Sequence, residues 1–143
     1  MNNHPVTNKT ALNNGVKVIT KQMPYVHSVT MGLWVNVGSR DETLAENGLS
    51  HLIEHLIFKG TEKRSAFQIA KAFDDIGGQT NAFTTMENTC FHATVMDSHL
   101  ETRGEVMSDI CLTSLVVEAE VLNERPVMLL VVGVVVDSPG ECM

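Results

Sequence analysis

The run from Ser28 to Val37 constrains the fold most. Val29, Met31, Leu33, Val35 and Val37 alternate with Thr30, Gly32, Trp34, Asn36 and Gly38. Successive strand side chains point to opposite sides, so an apolar period of two predicts a strand with one buried face. A strand of that kind needs a second layer to cover it. The next segment supplies one at helical period: Leu49, Leu52, Ile53, Leu56 and Ile57 share a face. Ser50 or Asn47 is placed to cap the start of this helix and Gly60 to close its end.

The remaining elements alternate in the same way. Asn13-Asn14-Gly15 marks a turn between Leu12 and a short strand, Val16 to Thr20. A second helix is predicted over Ser65 to Ile76. Ser65 and Gln68 form its capping box, Ile69, Ala70, Phe73 and Ile76 its apolar side, and Gly77-Gly78 its stop. Asn81 to Thr85 and Thr89 to Met96 flank a turn at Glu87-Asn88 and read as an antiparallel hairpin. A third helix is expected from a Ser98/Glu101 capping box, with Leu100, Gly104, Met107, Cys111 and Leu115 near one face and Val106 and Ile110 widening it. Strand, strand, helix, helix, strand, strand, helix is the order of an α+β domain: an antiparallel sheet with helices packed on one face. The length of 143 residues suits one domain, 1–143.

The stretch 116–143 diverges from this pattern. Glu118 to Arg125 could start a helix, but Pro126 follows, and a proline inside a helix costs roughly 3 kcal/mol. Val127 to Val136 is uncharged and β-branched, which predicts a strand that is aggregation-prone if exposed. It is about half the length needed to span a bilayer, so no membrane span is expected. A formal charge of -7 without a basic tract argues against nucleic-acid binding. Three scattered cysteines (Cys90, Cys111, Cys142) fit reduced thiols better than a disulfide framework. The N-terminal residues carry no charged-then-apolar signal pattern, so a cytoplasmic location is the expectation.

Chemistry is concentrated in His51-Leu52-Ile53-Glu54-His55. The two histidines are four apart, one helical turn, so both imidazoles can reach one zinc ion at roughly 2.0–2.1 Å. Glu54, three residues after His51, can take a proton from a water at the same position. The pattern is the inverted zinc-protease motif H-x-x-E-H. Alone it competes with a solvated histidine pair. No G-x-S-x-G, cysteine-nucleophile signature or phosphate loop is found. Among the other histidines, His92 reads as packed or exposed rather than ligating, and His4, His27 and His99 read as surface. Asp41-Glu42 and Asp74-Asp75 read as solvated charge.

Gly38-Ser39-Arg40-Asp41-Glu42, the motif through Phe58-Lys59-Gly60-Thr61, and Asn81-Ala82-Phe83-Thr84 occur in an order that resembles the pitrilysin and insulinase family. The likeness is greatest to its processing-peptidase branch and runs from about Leu12 to about Leu115. It implies half of a pitrilysin-type unit, Zn2+ as cofactor with His51 and His55 as ligands, and Glu54 as general base in peptide-bond hydrolysis. The family's third ligand is a glutamate on a later helix. Glu124-Arg125, Val127, Gly133 and Asp137-Ser138-Pro139 follow the family's order there, which assigns Glu124 the supporting carboxylate and places the third ligand at Val131. A valine cannot bind zinc. Asn81, Ala82 and Phe83 resemble the strand that holds substrate by strand addition, and Glu87 matches a family glutamate position. The resemblance implies a complete enzyme several times larger. The partners expected are an extended peptide or protein substrate and a second domain or subunit that closes the cleft. By itself this chain is expected to cleave peptides slowly or not at all. The alternatives are a non-catalytic family member used for assembly, or a truncated copy of an active peptidase.

Overall fold

The structure, a computed structural model, describes residues 6–75 and 78–137. Strands β1 (Val6–Ala11) and β2 (Lys17–Gln22) form a two-stranded antiparallel sheet of their own, with Val6 opposite Gln22 and Ala11 opposite Lys17. Their turn depends on Gly15 at φ +88°, a left-handed conformation that glycine adopts without a Cβ penalty. The main sheet contains β3 (Ser28–Val35), β4 (Gln79–Thr84) and β5 (Thr89–Met96) in the order β3-β5-β4, all antiparallel. Helices α1 (Leu49–Leu56), α2 (Ala66–Asp74), α3 (Leu100–Thr113) and α4 (Glu118–Asp137) complete the described chain. The α+β architecture with antiparallel sheets agrees with the sequence reading.

Central strand β5 carries the core. Phe91 and Ala93 are buried and cluster with Ile57, Ile69, Phe73, Val106, Met107 and Ile110 from the helical segments, and Val95 is also buried. The Ser65/Gln68 capping box forms as read: the Ser65 hydroxyl accepts from the Gln68 N–H at 3.3 Å, and the Gln68 side chain accepts from the Ser65 N–H at 2.8 Å. Helix α2 ends at Asp74; Ile76 and Gly77 lie outside the described residues.

Several expectations are corrected. The face of β3 expected to be buried is only half-covered at Val29 and Met31, and Leu33 and Val35 are exposed. As an edge strand, β3 lies farther from the helices than β5 does. The buried stripe of α3 is Val106, Met107 and Ile110; Leu100 and Leu115 are exposed, and His99 is half-buried. No Ser98 capping box forms, because Asp97–His99 make a 3-10 turn in which the Asp97 carboxylate accepts from the Ser98 N–H.

The strand expected over Val127 to Val136 is instead the second half of α4, with Pro126 inside the helix. Tertiary contact overrides propensity here. Helix α4 lies against α1, buries Met128 and places Glu124 beside the motif helix. Proline removes one donor, the N–H that would meet the Leu122 carbonyl, and that single loss is compatible with a docked helix. Among the described residues no helix is long and apolar enough to cross a membrane.

Candidate functional site

The motif helix is aimed by the loop before it. Ser39 and Arg40 donate their N–H groups to the Thr85 and Met86 carbonyls at the end of the β4–β5 hairpin, at 3.1 and 2.9 Å. The Asp41 carboxylate accepts from the Gly38 N–H at 3.0 Å, and Arg40 pairs with Glu87. Glu42 then caps α1. Its two carboxylate oxygens accept from the N–H groups of Gly48 and Ser50, each at 2.7 Å. Neither Ser50 nor Asn47 caps the helix; Gly48 occupies the cap position at φ +89° and has no side chain to offer. Glu42 is therefore a half-buried, hydrogen-bonded carboxylate rather than solvated charge, whereas Asp41 makes its hydrogen bond from an exposed position. Burial raises the Glu42 carboxyl pKa, but donation from Ser50 and Gly48 and the nearby His51 bring it below the usual range.

On α1 the imidazoles of His51 and His55 lie one turn apart, ring centroids 5.2 Å from each other and tilted by 44°. Glu54 reaches across to the main sheet, where the Thr84 hydroxyl donates to its Oε2 at 2.6 Å. His55 Nδ1 meets Glu124 Oε2 at 3.0 Å, and Lys59 Nζ donates to Glu124 Oε1 at 2.6 Å. The Lys59 ammonium holds the Glu124 carboxyl below the usual range against the effect of burial, with His55 adding to it. Beside these groups opens a cavity of about 410 Å³ lined by Glu54, His55, Phe58, Ile69, Phe73 and Ala82, among others. One wall is β4, an edge strand with no strand on its outer side among the described residues, where the Ala82 N–H donates to the Asn81 side-chain oxygen at 2.9 Å.

The sequence-read residues are thus largely brought together. His51 lies beside His55, His55 meets Glu124, and Glu54 and His55 line a cavity together with Asn81 and Ala82. The Phe83 ring instead packs edge-on to Trp34 at 5.6 Å and lies 6.1 Å from His92, so it joins its sheet neighbours rather than the cavity wall. Position 131 is on α4, seven residues beyond Glu124; the side chain there lies outside the described residues. His4 also lies outside them.

The donor set suits zinc in part. With Nδ1 of His55 engaged by a carboxylate, its Nε2 is left for a metal, the arrangement that orients ligating histidines. His51 offers a second imidazole. A catalytic zinc takes three protein ligands, and no group of three or more His, Cys, Asp or Glu side chains able to hold a metal occurs among the described residues. Sequence reasoning missed the roles of Thr84, Glu42 and Lys59. Lys59 alone had a local signal, since it falls four residues after His55 on the same helical run.

Residues 17–142 match the model of the family described as Insulinase (Peptidase family M16). The chain is 45% identical over 135 residues to an uncharacterized zinc protease of Streptomyces coelicolor, covering 94% of this chain and 29% of that protein. An uncharacterized zinc protease of Bacillus subtilis is 42% identical over 128 residues, covering 90% and 31%. A crystal structure of a protease from Helicobacter pylori superposes with a TM-score of 0.81 at 27% identity, covering 87% of this chain and 30% of that one. The chain therefore spans a little under a third of the curated relatives just described.

Proposed function

The chain belongs to the insulinase family, peptidase family M16, and from that premise we propose that it is a zinc metallopeptidase domain in which Glu54 is the general base. The observation that supports the reading most is that His51 and His55 lie one turn apart on α1 while His55 and Glu54 line a cavity bordered by an edge strand. His51 and His55 would hold the zinc ion, which when bound supplies Lewis acidity to the scissile carbonyl and lowers the pKa of water. Glu54 takes the proton of the attacking water and passes it to the leaving amine. The Thr84 hydroxyl holds one Glu54 oxygen and leaves the other for this transfer. Glu124 orients His55. An extended peptide adds to the free edge of β4 along Asn81, Ala82 and Phe83, held by main-chain hydrogen bonds.

Assayed as these 143 residues alone, with the cleft open to water, turnover is slow or absent. A second reading, a non-catalytic member that keeps the fold for assembly, is favoured by one observation: Val131 stands at the position where the family resemblance expects the third ligand. Zinc content after dialysis separates the two. The peptidase reading expects near one zinc per chain, lost in His51→Ala, and tighter retention in Val131→Glu. It also expects any chelator-sensitive cleavage of an unstructured peptide to vanish in Glu54→Gln. A wild-type chain and a Val131→Glu variant that both fail to retain zinc would remove the peptidase reading and leave the assembly role.

A further inference from the structure

We propose that Lys59 is a positioning residue of the site, acting on His55 through Glu124. The proposal rests on the zinc-peptidase reading only for its consequence, the state in which His55 meets a metal. Lys59 lies in the 3-10 turn Ile57–Lys59, which continues α1, whereas Glu124 arrives from α4, 69 residues after His55. Each oxygen of the Glu124 carboxylate has one partner: Oε1 accepts from Lys59 Nζ at 2.6 Å, and Oε2 faces His55 Nδ1 at 3.0 Å. The Glu124 side chain is 12% exposed, against 33% for Lys59 and 32% for His55, so the carboxylate is the most buried of the three.

A carboxylate anchored at one oxygen turns freely about its last side-chain bond, because that torsion is broad. Anchored at both, its plane is set, and Oε2 is presented steadily to His55. A fixed acceptor at Nδ1 keeps the proton of a neutral imidazole on Nδ1 and the lone pair on Nε2, which is the atom a metal would use. Lys59 also balances the charge that Glu124 brings into this half-buried corner and ties α4 to α1 at that point. A lysine four residues after a ligating histidine thus selects the histidine's tautomer without touching it.

The test compares the full chain with Lys59→Met and Lys59→Arg, all labelled with 15N. His55 tautomers are read from long-range nitrogen–proton correlations at about pH 8, above the ordinary imidazole range. Circular dichroism confirms that each variant is folded. Expected are a dominant Nδ1–H tautomer in the wild type, a mixture of tautomers in Lys59→Met, and recovery in Lys59→Arg, which keeps the charge and a donor. Zinc titration should show about tenfold weaker binding in Lys59→Met, the range typical of lost partners to a ligating histidine. An unchanged tautomer in Lys59→Met, or a mixture that Lys59→Arg does not restore, overturns the proposal. If no variant binds zinc but the tautomers shift as described, Lys59 keeps its role and the zinc reading falls. If Lys59→Met does not fold, Lys59→Gln replaces it, with the same outcomes deciding.

Discussion

Removing the Glu42 carboxylate should destabilise the chain through the start of the motif helix. Glu42→Ala leaves the N–H groups of Gly48 and Ser50 without the acceptors they now meet at 2.7 Å. Hydrogen bonds to a charged group are worth about 1.5–3 kcal/mol each, and a negative charge at a helix N-terminus adds about 0.3–1 kcal/mol. Gly48 is half-buried, so water recovers part of its loss, whereas Ser50 is buried and recovers little. The net cost expected is about 3 kcal/mol. With a urea slope of about 2 kcal/mol per molar, the midpoint falls by about 1.5 M at unchanged slope. Glu42→Gln keeps one carbonyl acceptor and should lose about half as much. The Thr43 hydroxyl bonds Glu46 at an exposed position, so Thr43→Ala should stay within about 0.5 kcal/mol. Urea titrations followed by circular dichroism and by Trp34 fluorescence measure all three. Glu42→Ala within about 0.5 kcal/mol of wild type would refute the capping argument.

Three further substitutions test other parts of the frame. The Asp109 carboxyl is held down at about 2 by the Thr113 hydroxyl, with Thr61 and Arg64 adding to this and burial opposing it. Its folded value lies below the ordinary 3.8, so its contribution is complete above about pH 4 and is lost as pH falls toward 2. Asp109→Asn should flatten that part of the acid stability profile, and an identical acid slope in wild type and variant would contradict the assignment. A Cβ at Gly38 would lie 2.3 Å from the Thr85 carbonyl oxygen, whereas one at Gly104 within α3 meets nothing within 4 Å. Gly38→Ala should therefore cost about 1–3 kcal/mol, and Gly104→Ala should gain about 0.5–1 kcal/mol. Denaturant midpoints shifting in the same direction for both would contradict the two environments.

Legibility followed the range of the interaction. The β4–β5 hairpin was readable because its turn and alternation lie within one short window, and so was the Ser65/Gln68 box. The burial of β3 was misread because alternation shows that a strand has two faces, not how far the helices extend over an edge strand. The tail was misread more severely. Val127 to Val136 has strand composition and a proline before it, yet the backbone is helical where α4 lies against α1, with Glu124 meeting His55. Local propensity is a weak prior that tertiary context overrides.

By itself the sequence determined the period of each element and the spacing of His51, Glu54 and His55, because both are set within one or two helical turns. Apart from Glu124, which the family resemblance assigned, the groups that pair with them were decided only in three dimensions. Glu42 became the helix cap rather than solvated charge, Thr84 became the partner of Glu54, and Lys59 and His55 came to share Glu124. Each of these pairings except the first crosses between elements dozens of residues apart, where no periodicity connects the partners. Even Glu42 reaches its donors through an irregular loop, whose path is set by the hairpin end beneath Gly38.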